Sequence, residues 1–249
     1  MNRAKPRTRR AAGPLGLLAL VVVAGLVWIG VTGGEDDATT AGTNRPNSTM
    51  SAPSPSAPAQ TQAATTQLDT LVVKGRAPKT GYERTEFGQA WTDDVNVPLG
   101  HNGCDTRNDI LRRDLTDITV RPGTRDCVVL RGTLVDPYSG KTIDFMRGEK
   151  TSPAVQIDHV VALSDAWQKG AAQWDGAKRT DFANDPVNLQ ATDGPTNQQK
   201  SNGDTATWLP PNKTYRCTYV TRQIDVKARY GLWVTSAEKE AMARVLATC

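Results

Sequence analysis

The residues best suited to catalysis in this sequence are an aspartate and a histidine that stand next to each other. Asp158-His159 follows an apolar-rich segment, and the chain has one other histidine, His101. A carboxylate binds hard metal ions, and an imidazole exchanges protons near neutral pH. Because side chains alternate across a strand, a local bend must redirect one of the two if both serve one pocket. The pair places two different chemical groups side by side. Taken alone, it is better explained as a turn-capping aspartate beside a hydrogen-bonded interior histidine.

Other well-known catalytic motifs are absent from the sequence. It has no G-x-S-x-G elbow of a serine hydrolase and no H-E-x-x-H of a zinc protease. It also lacks a Walker loop and a dinucleotide-binding fingerprint. The chemistry must therefore come from His159 and the polar residues around it.

Three polar residues that stand close to one another follow this pair along the chain. Asn188 comes first, Asn197 stands nine residues later, and Lys200 comes after three more. At a spacing of three, Asn197 and Lys200 share one face if the segment is helical. Taken one at a time, these residues also fit an ordinary turn and a solvated helix surface. They indicate a functional site only as an ordered set that follows Asp158-His159.

The ordered set resembles the HNH (His-Me finger) nuclease motif, in which two strands and a helix build a metal site. The surrounding sequence, including residues 103–109 and 208–211, is similar to exported actinobacterial HNH proteins. These are grouped with the C-terminal domain of GmrSD restriction endonucleases. The resemblance covers approximately residues 68–249 and implies an α+β fold, a single mixed domain containing a ββα-metal core. One departure is the long distance from His159 to Asn188, where an inserted helix near Trp167 is expected.

The resemblance implies a role for each residue of the set. Asp158 and Asn197 would bind one Mg²⁺ or Mn²⁺, since hard oxygen ligands suit these ions. His159 would be the general base that deprotonates the attacking water. Asn188 would hold the loop that carries His159, and Lys200 would face a phosphate.

Further residues are candidates with equally good structural explanations. Arg107 is a candidate contact to a substrate phosphate, although a surface ion pair with Asp105 or Asp109 explains it as well. His101 is expected in a loop. Tryptophan rings can stack on bases, yet most are expected in the core: Trp91, Trp167, Trp174, Trp208 and Trp233.

The resemblance therefore implies a metal-dependent endonuclease that hydrolyses phosphodiester bonds, and little sequence preference is expected. DNA is the expected substrate, RNA remains open, and no protein partner is implied. The net charge gives no independent support. Six of the 30 basic and three of the 26 acidic residues precede Leu68, so the remaining chain carries +1 of the total +4. The alternative is a non-catalytic extracytoplasmic binding domain that retains an HNH-like scaffold.

The N-terminal third of the chain predicts export from the cytoplasm. Residues 1–32 combine basic residues with an apolar run over residues 11–31, which is typical of a signal anchor or a signal peptide. The positive-inside rule places the chain beyond this run outside, attached to the membrane if the helix is not cleaved. Residues 33–67, rich in Pro, Ser, Thr and Ala, predict a disordered linker. Residues 68–249 then form the nuclease-like domain.

All four cysteines lie in this predicted domain. An even number in an exported chain predicts two disulfides. The pairing Cys104–Cys127 with Cys217–Cys249 closes the shortest loops, and the two other pairings stay open. A zinc site is the weaker alternative, because the sequence has no C-x-x-C or Cys/His cluster.

The pattern of apolar residues predicts alternating strands and helices without repeats. Expected strands are Leu68–Gly75, a hairpin of Cys127–Leu134 with Lys141–Phe145, Ala154–Val161 and Val187–Thr192. Expected helices are Thr106–Leu115, Ser164–Trp174, Thr196–Asn202, the end of Tyr215–Tyr230, and Ala237–Ala247 after Ser236.

Overall fold

Short helices alternate with two small antiparallel sheets in residues 57–249, the part of the chain that the computed structural model describes. The helices are α1 (Ala57–Thr70), α2 (Thr106–Asp114), α3 (Leu163–Gln168), α4 (Gly176–Asn184), α5 (Gly194–Lys200), α6 (Arg216–Tyr230) and α7 (Ser236–Leu246). The strands are β1 (Thr116–Val120), β2 (Val129–Val135), β3 (Thr142–Met146), β4 (Val155–His159) and β5 (Leu189–Asp193). The mixed α+β fold class is confirmed.

The first sheet has the strand order β1-β2-β3, and all of its pairs are antiparallel. The β2–β3 hairpin confirms the prediction around Asp136–Gly140. There the side chain of Asp136 accepts hydrogen bonds from the backbone N–H groups of Tyr138 and Ser139, which fixes the turn. The sequence analysis did not predict β1, a short strand whose residues are mostly exposed.

Helix α1 changes the predicted start of the domain. Residues 57–67 belong to this helix rather than to the predicted linker, and the predicted strand Leu68–Gly75 is wrong. Ala64 and Leu68, four residues apart, are buried where α1 packs against α6 and α7. A segment of low hydrophobicity therefore becomes helical because the two later helices cover its one apolar stripe. After α1, the chain makes a single parallel bridge from Val73 to Val234.

The segment between β4 and β5 is larger than the single inserted helix that the sequence predicts. It contains α3, α4 and short 3₁₀ turns at Ala171–Gln173 and Pro186–Asn188. Phe182 of α4 and Ala166 of α3 are fully buried in one core cluster. Asp175 caps α4 by accepting a hydrogen bond from the N–H of Lys178. The insertion is thus a packed part of the domain.

Five ionised side chains form a buried charge cluster between α3, α6 and α7: Lys169, Lys227, Asp165, Asp204 and Glu238. Nζ of Lys169 lies 2.6–2.8 Å from one oxygen of each of the three carboxylates. Nζ of Lys227 lies 3.0 Å from Asp165 and 3.1 Å from Glu238. Arg76 contacts Asp165 and Asp204 at the partly exposed edge. With Arg76 included, three positive charges balance three negative ones, as burial of charge requires.

Two disulfides join the cysteines in the predicted pairing. Cys104 is bonded to Cys127, and Cys217 at the start of α6 is bonded to the terminal Cys249. The described chain has no free cysteine. The disulfide prediction is therefore confirmed, and the zinc alternative loses its ligands.

Denatured protein that has not been reduced is expected to show no reactive thiol. Removing the first disulfide in Cys104→Ser/Cys127→Ser should lower the free energy of unfolding by about 2–4 kcal/mol, because the unfolded chain gains freedom. A thiol titration of the denatured wild type tests the first expectation, and urea unfolding of the variant measures the second. Reactive thiols in protein taken from its native compartment would contradict the disulfides.

The predicted membrane segment, residues 11–31, lies outside the described residues. Among residues 57–249 no helix has the length and apolar character needed to cross a bilayer.

Candidate active site

The candidate site is built on β4, β5 and α5, which lie next to one another. The two strands pair antiparallel, with His159 opposite Leu189 and Val155 opposite Asp193. Asp193 ends β5 and accepts a hydrogen bond from the N–H of Thr196, so that it also caps α5. The helix packs back on both strands. This order of strand, strand and helix carries residues far apart in sequence to one place.

A polar cavity of about 380 Å³ opens at the end of β4. Four predicted site residues line it together: Asp158, His159, Asn197 and Arg107. The other two, Asn188 and Lys200, are buried and do not line it. Although Asp158 and His159 are neighbours on one strand, both reach this cavity, because His159 is the last residue of β4.

The imidazole of His159 is held in one tautomer. Its Nε2 lies 2.9 Å from the backbone oxygen of Ala183 at the end of α4. A carbonyl oxygen can only accept, so Nε2 carries the ring proton and Nδ1 keeps a free lone pair. Trp91 stacks on the ring, with centroids 5.9 Å apart and planes at 15°. Burial lowers the pKa of His159 to about 3, with the Arg84 guanidinium adding to the effect, so the ring is neutral at pH 7.

Asp158 is buried between a lysine and a tyrosine. Nζ of Lys200 donates to its Oδ1 at 3.0 Å, and the hydroxyl of Tyr138 donates to its Oδ2 at 2.8 Å. Burial raises the pKa of Asp158, while Lys200 and Tyr138 act in the opposite direction. Lys200 also donates to the backbone oxygen of His159 at 2.9 Å. It therefore anchors the end of β4 from the protein interior. The resemblance implies that its ammonium faces a phosphate, but Lys200 does not line the cavity.

Asn188 joins the residues after His159 to the start of β5. Its Oδ1 accepts from the N–H of Val161 at 2.8 Å, and its backbone oxygen accepts from Val160 at 2.7 Å. Its Nδ2 donates to the oxygens of Val161 and Phe182. Since Asn188 is fully buried, these bonds fix the backbone that leaves His159. This is the geometry expected of a residue that holds the histidine loop.

The oxygen atoms around Asn197 suit a weakly held divalent cation. Nδ2 of Asn197 donates to Gln156 Oε1 at 2.9 Å, which leaves Asn197 Oδ1 without a protein partner in the described residues. Each oxygen of Asp158 has further lone pairs beside the bonds that it accepts. One carboxylate and one amide fit Mg²⁺, which keeps several waters. No group of three or more His, Cys, Asp or Glu side chains that could hold a metal occurs in residues 57–249.

Two arginines supply positive charge to the cavity. Arg107 donates to the backbone oxygen of Val155 at 3.0 Å, so its predicted alternative ion pair with Asp105 or Asp109 does not form. Arg84 is exposed, lines the same cavity and makes no hydrogen bond or ion pair within residues 57–249. The sequence did not identify Arg84, because 75 residues separate it from His159 and no local pattern links them.

His101 and most of the tryptophans lie away from this site. His101 is exposed and lies 3.8 Å from Asp94, a partner in its own loop. Trp91 is the exception among the tryptophans, since it covers His159. No local pattern in the sequence indicates that role.

Comparisons with known proteins identify the class of this domain as HNH-type and nuclease-like. The chain belongs to the family of the C-terminal domain of GmrSD restriction endonucleases, whose model matches residues 105–245. It is also similar to a protein of the fungus Arthroderma benhamiae described as an uncharacterized secreted protein. The two are 39% identical over 202 residues, which cover 80% of this chain and 91% of the relative. No solved structure matches the chain.

Proposed function

We propose that this protein is a metal-dependent HNH-type endonuclease that hydrolyses phosphodiester bonds in DNA, or RNA, with little sequence preference. The observation that carries the proposal is the polar cavity that Asp158, His159 and Asn197 line with Arg84 and Arg107. A carboxylate, a neutral imidazole and two cations face the same space. This combination suits an anionic diester and a water molecule that must lose a proton.

The chain's own residues have distinct tasks in this proposal. Nδ1 of His159 accepts a proton from the attacking water, because Nε2 is held by Ala183. Arg84 and Arg107 bind phosphate oxygens. Asn188 and Lys200 keep the end of β4 in place, so they are positioning residues. Sequence preference is low, because no helix, finger or basic arm that reads base edges is present in the described residues.

Asp158 and Asn197 are the residues that would hold Mg²⁺ or Mn²⁺ in a ββα-metal core formed by β4, β5 and α5. When bound, the ion would stabilise negative charge on the scissile phosphate and on the leaving oxygen. Lys200 opposes the burial that raises the pKa of Asp158, and its salt bridge limits how strongly the carboxylate binds a cation. The affinity is therefore modest and the ion exchangeable.

Removal of divalent metal is expected to abolish cleavage. Plasmid DNA should stay intact in EDTA and be degraded again when Mg²⁺ or Mn²⁺ is added in excess. Binding of the same DNA, measured in parallel, should persist in EDTA, because Arg84 and Arg107 need no metal. Full cleavage in EDTA would contradict the metal site.

The protein is proposed to act outside the cytoplasm. Two disulfides are stable in an oxidising compartment. The similar fungal protein is described as secreted. Whether residues 1–32 remain as an anchor or are cleaved decides between a membrane-attached and a free form, and the N-terminus of the mature protein distinguishes them.

A non-catalytic binding domain is the second candidate, favoured by one observation. Both oxygens of Asp158 already accept hydrogen bonds, from Lys200 and Tyr138, which competes with metal binding. Such a domain would retain the scaffold and bind nucleic acid through Arg84 and Arg107 alone. DNA binding without cleavage at any Mn²⁺ concentration would favour it.

A further inference from the structure

An apolar cavity of about 270 Å³ adjoins His159, and neither Asp158 nor Asn197 lines it. It shares Arg84, Trp91, His159 and Leu163 with the polar cavity. The rest of its wall is largely apolar and includes Phe87, Ala90 and Ala183. The volume is just below the approximately 300–1,000 Å³ of typical small-molecule sites. It therefore suits one flat ring system better than a larger ligand.

Among the described residues, one buried polar atom of a residue in this wall has no hydrogen-bond partner. Asn184 lines the cavity and is 2% exposed. Its Nδ2 donates to the backbone oxygen of Thr180 at 2.9 Å, but its Oδ1 is buried and accepts no hydrogen bond within the described residues. An unpaired buried acceptor is costly and calls for a donor. A ligand that carries an N–H group on an otherwise apolar ring would supply it.

We infer that the apolar cavity receives one nucleobase of the strand being cut, with Asn184 Oδ1 accepting a hydrogen bond from an N–H group of the base. This inference rests on the proposed function. Trp91 offers an aromatic face at the cavity wall, and bases stack on such faces whatever their sequence. Arg84 lines both cavities and its side chain has no partner within residues 57–249, so it binds the phosphate that joins this base to the neighbouring nucleotide.

The geometry also indicates the substrate class. A base enters a protein pocket only after it leaves the stack and its paired partner, which costs least in a single strand. The preferred substrate is therefore single-stranded nucleic acid, or the unpaired end of a duplex. The four bases all carry an N–H donor. The cavity therefore favours unpaired over paired strands and does not discriminate among the bases.

Binding in EDTA tests the cavity without cleavage. The probes are a short single strand with bases and a fully abasic strand with the same number of phosphates, titrated by fluorescence anisotropy into the full chain. The wild type should bind the strand with bases on the order of tenfold more tightly. Ala90→Leu, which fills the cavity from its exposed rim, should remove most of that preference. Ala206→Leu, at an exposed alanine on a separate cavity, should keep it.

Asn184→Leu provides the second variant, with thermal melting as a check on folding. It should lower affinity for the strand with bases several-fold and leave affinity for the abasic strand unchanged, because the abasic strand has no base to contact Asn184. Equal affinities of the wild type for the two strands, or equal effects of Ala90→Leu and Ala206→Leu, would overturn the base cavity. A preference for bases without cleavage in Mn²⁺ would instead overturn the proposed nuclease while the cavity stands.

Discussion

Replacing His159 with alanine is expected to lower the rate of DNA cleavage by about 10²–10⁴ at saturating Mn²⁺. The reason is the tautomer set by Ala183, which leaves Nδ1 as the proton acceptor of the site. Excess Mn²⁺ should not restore the rate, since no metal ligand is lost. Asp158→Ala should also lose activity, and excess Mn²⁺ should restore part of it. The measurement is the initial rate on one plasmid for each variant.

His101→Ala is the matched control, because it removes the only other histidine. That side chain is exposed and lies in a loop away from the polar cavity. Its rate should equal that of the wild type, and thermal melting should show that both variants fold. If His159→Ala cleaves DNA as fast as the wild type, the histidine is structural and the assigned site is wrong.

Replacing Lys169 with methionine is expected to lower the free energy of unfolding by about 3–5 kcal/mol. The substitution keeps a side chain of similar length but leaves the buried charge cluster with an unbalanced negative charge. Nζ of Lys169 is the atom that contacts all three carboxylates. Urea unfolding at neutral pH measures the loss.

Lys239→Met is the control for this prediction. Lys239 pairs with Asp69 at 3.5 Å, where the two side chains are 29% and 74% exposed. A screened pair of this kind contributes about 0–1 kcal/mol. If the two methionine variants lose similar amounts of stability, the buried charge cluster does not hold α3, α6 and α7 together.

The same cluster determines how the protein responds to acid. Burial acts to raise the pKa of Asp165, but Lys227 and Lys169 outweigh it and lower that pKa to about 2. The unfolded value is about 3.9. A depressed carboxyl pKa stabilises the fold above the unfolded value, and this contribution is lost as pH falls from about 4 through about 2. In Lys169→Met the native pKa of Asp165 should rise toward the unfolded value, because one of the two cations that lower it is gone. The variant should therefore lose less stability than the wild type between about pH 4 and pH 2, as a pH series of urea midpoints will show.

The part of the site that the sequence predicts is the part whose geometry is local. Asp158 and His159 are consecutive, and β4 pairs with the strand that begins directly after Asn188. Asn197 lies on the next helix, so antiparallel pairing and one turn bring these residues together. The resemblance to the HNH motif, which rests on the order and spacing of these residues, carried this information.

The remainder depended on contacts between distant segments. Arg84 and Trp91 approach His159 from a stretch with little regular structure. Lys200 has the charge of a phosphate ligand, yet burial turned it toward Asp158 and the backbone. Helix α1 was not predicted, because few of its residues are apolar. It forms because those few apolar side chains pack against α6 and α7. In each case the deciding partner was more than 30 residues away.

The carbonyl of Ala183 makes the insertion between β4 and β5 indispensable to the reaction that we propose. A shortened protein in which a tight turn joined the two strands would keep Asp158, His159 and Asn197 at their places in the motif. It would lose the acceptor that holds the proton on Nε2, and the imidazole could then present either nitrogen to water. A minimal version of this domain therefore needs another carbonyl oxygen to accept the Nε2 proton of His159. A design that copies only the motif would leave the tautomer of this histidine unspecified.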